Sequence, residues 1–182
     1  MDLALARVEP RAALEKQNMI RLRFCASHSL TSQLIRWQAG TSMPFTPSHV
    51  EALTQDGENY IGAHIEDGVR MRRVGYDTDT LMTLADGTKA DRIVSLPCPD
   101  EQEAAFYTFV HGKVGTPYDP KAILGFEIEG HWHDVGHLIC SAFMAQGLRM
   151  ASYFRWPLTK PFHHISPDLL LAILSTHVEI PH

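Results

Sequence analysis

Polar and apolar residues alternate in short bursts through the first half of the chain and group at helical spacing through the second. "MIRLRFCA" alternates and predicts a strand, since successive side chains on a strand face opposite sides. Three more strand-like runs follow a proline-punctuated loop, "TSMPFTP". "SHVEALTQ" and "NYIGAHIE" each end at an Asp-Gly turn signal, and "GVRMRRVG" follows. An antiparallel meander over residues 48–75 is the simplest arrangement of the three. "ADRIVSLPC" supplies a further strand.

"DEQEAAFYTFVHGKVG" begins with acids, which suit the positive end of a helix, and sets Ala105, Phe106, Phe109 and Val110 on one face before Gly115. "GHLICSAFMAQGL" predicts a helix with Cys140 near its start and Gly147 as its C-cap. "ISPDLLLAILSTHV" offers Ser166 as N-cap and Pro167 at the first helical position. Earlier, "SLTSQLIRWQAG" reads as a short helix, and "MDLALARVEPRAALEKQ" as a helix broken near Pro10. Strands first and helices later predict an α+β fold, with helices packed on a mainly antiparallel sheet.

Length and charge narrow the picture. The 182 residues fit one domain, 1–182, with 1–18 as an N-terminal extension. A net charge of −5 argues against a nucleic-acid partner. Arg70, Arg72 and Arg73 read as the solvated face of a strand. No apolar run approaches the roughly 20 residues of a transmembrane helix, and the N-terminus lacks a signal-peptide core. As written the chain reads as cytoplasmic, with export left open. The three cysteines, Cys25, Cys98 and Cys140, are an odd number without a CxxC pair, which argues against a disulfide framework or a cysteine-rich zinc site. Cys25 and Cys98 fall at strand ends and read as small buried hydrophobes.

Cys140 is the best placed nucleophile. Unpaired N–H groups at a helix start stabilise a thiolate, and a neighbouring imidazolium does so further. A buried, inert thiol fits the same position. His49 opens one meander strand and His64 closes the next, so the two can share a face and one can orient the other; each is also an ordinary strand residue. Glu51, two residues after His49, emerges on the same face and competes with His64 as orienter. "HWHDVGH" gathers His131, His133, Asp134 and His137, a weaker candidate for zinc in a spacing that matches no standard ligand set.

The ordered set "SHVE…NYIGAHIEDGV…GTPYD…ICSAF…ISPDLL" resembles the circularly permuted branch of the NlpC-type papain-like amidase superfamily. Within it the set stands close to the YiiX-type group and to relatives of lecithin:retinol acyltransferase. The resemblance spans roughly residues 20 to 172. It implies a papain-like fold and a cysteine peptidase or amidase, with a thioester intermediate and no cofactor or metal. It implies Cys140 as nucleophile, His49 as base, His64 as third catalytic residue with Glu51 as alternative orienter, and Tyr118 beside the substrate. A small peptide, such as a murein fragment, is the expected substrate; an acyl substrate for a transferase or thioesterase is the alternative, and a non-enzymatic binding protein of the same fold is another. Ser141 and Ala142 then read as small residues that let the helix start approach the substrate.

Overall fold

A computed structural model of the chain describes residues 18–28, 45–64, 66–117, 139–154 and 165–176. The two expected helices before residue 41, Tyr118 and the "HWHDVGH" cluster lie outside the described residues.

Among the described residues the alternating runs form five strands: β1 (Met19–Cys25), β2 (His49–Leu53), β3 (Asn59–His64), β4 (Gly68–Arg73) and β5 (Asp91–Pro97). They make one antiparallel sheet in the order β4-β3-β2-β1-β5. The three-strand meander is thus β2-β3-β4, as its turn signals predict. Both Asp-Gly pairs turn the chain through a glycine at φ 78, a left-handed conformation that residues with a Cβ avoid. At Gly68 space forbids a side chain as well, because a Cβ would lie 2.1 Å from the Thr116 carbonyl oxygen.

Three helices follow among the described residues: α1 (Asp100–Gly112), α2 (Ile139–Met150) and α3 (Pro167–Ser175). None of them is long and apolar enough to cross a membrane. α2 lies across β2 and β3 and packs against α1. The expected α+β arrangement of helices on an antiparallel sheet is therefore present. Leu22, Phe24, Val50, Ala52, Ile61 and Ala63 form the sheet side of the core, and Phe106, Phe143, Met144 and Leu148 the helix side.

Two local expectations change. Gly147 does not cap α2, which runs on to Met150. It is a contact point instead: a Cβ there would stand 2.9 Å from Phe106 Cε2 and 3.3 Å from Phe109 Cδ1, so the bare backbone lets α1's aromatic rings approach. Ser166 holds the N-cap position before Pro167, yet its side chain makes no capping hydrogen bond.

Strand parity sets two faces apart. Leu22 pairs with Ala52 and Phe24 with Val50 toward the core, whereas Arg23 pairs with Glu51 and Cys25 with His49 on the opposite face. That second face carries the polar cluster described next.

Candidate active site

Glu51 is the centre of the cluster. It is fully buried in mid-strand, where an unpaired carboxylate would be costly. Each oxygen is held. Oε2 lies 3.1 Å from the Arg23 Nη1 that donates to it. Oε1 accepts from the Tyr76 hydroxyl at 3.0 Å and faces His64 Nε2 at 3.0 Å. His49 Nε2 stands 3.5 Å from the same oxygen, an ion-pair contact with no better-aligned partner for that nitrogen. Burial alone would raise the carboxyl; the hydrogen bonds and charges of His49 and His64 outweigh it and hold Glu51 well below the ordinary carboxylate range.

Gly62 makes the room. It sits on β3 against Glu51, and a Cβ there would lie 2.8 Å from Glu51 Cγ and 3.0 Å from Oε1. The "GAH" of β3 therefore brings two site features at once: a gap for the carboxylate, and His64 two residues later.

Arg23 supports the carboxylate from β1. Its five N–H groups are all used, on Glu51, Asp77 and Asp91, and its guanidinium lies 4.4 Å over the Tyr60 ring. On the other side Arg72 donates from Nη1 to His64 Nδ1 at 2.9 Å and from Nη2 to both oxygens of Asp67 at 2.9 and 2.8 Å. The expectation that Arg72 belongs to a solvated arginine face is thus corrected. Only Arg70 and Arg73 fit it: Arg70 shares Arg72's face of β4 but stays exposed, whereas Arg72 lies against His64.

His49 joins the strand cluster to the helix. The strongest influence raising its imidazole is Cys140, the second residue of α2. Burial alone would lower the imidazole; the charge and hydrogen bond of Cys140, followed by those of Glu51, push it up to about 10. Cys140 itself is 4% exposed, so only a narrow approach to the sulfur exists.

The sequence-predicted residues Cys140, His49, His64 and Glu51 are brought together. The two imidazoles lie 4.7 Å apart, ring centre to ring centre, and both converge on Glu51 Oε1. The carboxylate therefore stands where either imidazole can use it. Ser141 and Ala142 have a different place from the one expected. Both are fully buried: Ser141 donates to the Ile165 carbonyl, tying α2 to the approach of α3, and Ala142 lies in the core. Arg23, Tyr76 and Asp77 were not expected at the site. A signal for Arg23 is visible in hindsight, since an arginine alternating with core residues on one strand needs a carboxylate on the next, and Glu51 is directly opposite.

His49, Glu51 and His64 also offer three donor atoms within 4.8 Å of one another, a spacing a metal ion can bridge. Their surroundings do not fit a cation. Two guanidinium groups already touch the trio, Arg23 on Glu51 and Arg72 on His64.

Compared with family models, curated proteins and solved structures, the chain matches none.

Proposed function

We propose that the chain is a cysteine hydrolase, a peptidase or amidase built as a permuted papain-like domain. Cys140 is its nucleophile, His49 its acid and base, and Glu51 the carboxylate that orients His49. One observation carries the reading: His49, whose imidazole is raised most by Cys140, also contacts Glu51, a buried and fully held carboxylate. That is the nucleophile, base and orienter relation that thiol hydrolysis needs. His64 contributes through Glu51, which it contacts more closely than His49 does.

In the reaction, the Cys140 sulfur attacks the scissile carbonyl carbon and forms a C–S bond. The C–N bond breaks as His49 gives its proton to the departing amine. Water then attacks the thioester while neutral His49 takes its proton, the C–S bond breaks, and the acid product leaves with the sulfur beside the protonated imidazole. The substrate is a small peptide, because a nearly enclosed sulfur admits a slender chain more readily than a bulky folded one.

Alkylation with iodoacetamide, a probe small enough for so narrow an approach, tests the reading. Near neutral pH Cys140 reacts at least about tenfold faster than Cys25 and Cys98, and His49→Ala removes the advantage. A Cys140 no more reactive than the other two thiols would overturn it.

A further inference from the structure

We propose that Arg72 is a positioning residue that decides which of the two imidazoles carries the site's mobile proton. The inference deepens the hydrolase reading, on which the role of His49 as a base rests.

Two imidazoles converge on one carboxylate oxygen, so a shared proton has two possible homes. Arg72 removes one of them. A guanidinium has five donors, no acceptor, and a charge it keeps at every working pH. Where it donates to His64 Nδ1, at 2.9 Å, that nitrogen must present a lone pair. The proton of neutral His64 is then on Nε2, which donates to Glu51 Oε1 at 3.0 Å. Protonating His64 at Nδ1 would break the Arg72 contact and place a second positive charge against the guanidinium.

The groups facing His64 agree. Glu51 and His49 face it from β2, Arg72 from β4 and Tyr76 from the turn after β4, with Asp67 behind Arg72. Burial lowers the imidazole first, and His49 and Arg72 add to that against the hydrogen bond His64 donates to Glu51 and the charge of that carboxylate. Arg72 is itself fixed, by the two-pronged contact with Asp67 and by the Tyr76 ring 5.1 Å below its guanidinium. Tyr76 closes the loop, since its hydroxyl donates to the same Glu51 oxygen. The proton therefore stays on His49, next to Cys140. The same tautomer removes the Nε2 lone pair that His64 would need to ligate a metal.

The test is the tautomer itself, read from long-range proton–nitrogen correlations of the imidazole rings in the full chain. In the unmodified protein His64 is neutral and protonated on Nε2 at neutral pH, its midpoint below the ordinary imidazole value. In Arg72→Met it titrates, its midpoint at least about one unit higher, and the acid limb of Cys140 alkylation moves with it. Arg72→Lys, which keeps a charge and a donor, restores most of the original behaviour. A His64 protonated on Nδ1, or titrating near its ordinary value, in the unmodified protein would overturn the inference, and so would an unchanged tautomer in Arg72→Met. Should Arg72→Met fail to fold, Asp67→Asn decides: it frees Arg72 and raises the His64 midpoint by a smaller shift, and no shift counts against the inference. A locked His64 beside an unreactive Cys140 removes the hydrolase reading and leaves the inference standing.

Discussion

At the scale of the residue, the chemistry turns on one buried charge. Glu51 has no access to water, so its ionised form exists only because Arg23, Tyr76 and the imidazoles replace the solvent. Arg23→Ala withdraws the nearest counter-charge and leaves the carboxylate stranded. Breaking a buried pair from one side costs about 3–5 kcal/mol, and urea denaturation should show a loss of that order. Glu51→Gln keeps the shape and removes the charge. The His49 midpoint then falls from about 10 toward its ordinary value, which proton NMR of the imidazole will follow. Cys140→Ala lowers it as well, because Cys140 heads the influences that raise it. Were neither variant to move His49, the pairing of the three groups would be wrong. Glu51 and His49 were readable as a pair from their two-residue spacing on a strand. Arg23, Tyr76 and Asp77 were not, because their roles depend on which strand lies beside which, and the alternation of β1 does not say what its polar face meets.

At the scale of the element, the strands and the parts of the helices that face the core were legible because period carries them. The ends were less so. Gly147 reads as a cap by type, but its use is a close approach between α1 and α2, a long-range contact that no local pattern reports. Ser141 and Ala142 read as a substrate-facing pair by their size, yet the packing of α2 against α3 and the sheet buries both. Gly62 is the informative case on the sheet. Gly62→Ala adds one methyl group where Glu51 Cγ and Oε1 already stand. Overpacking of this kind costs typically 1–3 kcal/mol, and the strain falls on the carboxylate. The variant should therefore stay folded by circular dichroism while losing at least about tenfold in Cys140 alkylation rate near neutral pH. A loss of stability with full thiol reactivity would show that Glu51 can shift without consequence for His49.

At the scale of the whole molecule, stability should fall at both ends of the pH range, for different reasons. The folded Glu51 carboxyl lies below its ordinary value of 4.5, so its contacts contribute fully above that pH and are lost as pH falls through the folded value. His49 runs the other way. Its folded value of about 10 stands above the ordinary 6.5, so its contribution is complete below 6.5 and disappears as pH rises toward 10. Denaturation midpoints measured across this range should decline on the alkaline side, and His49→Phe should flatten that decline. An alkaline limb unchanged in the variant would assign it to other groups. The α+β class was legible because the alternating runs come before the amphipathic ones. The sheet order was legible only in part: β2-β3-β4 follows from its turns, but the position of β1 between β2 and β5 comes from long-range pairing that no turn announces.

The position of β1 and the late position of Cys140 together have a temporal consequence. The chain leaves the ribosome N-terminus first, and every strand of the sheet, with Arg23, His49, Glu51, His64, Arg72 and Tyr76, precedes α2. The charged half of the site can therefore assemble on a nascent chain whose sulfur has not yet been synthesised. Any chemistry Cys140 performs stays off during translation and begins only when α2 docks, a delay that would shield the emerging chain from its own thiol.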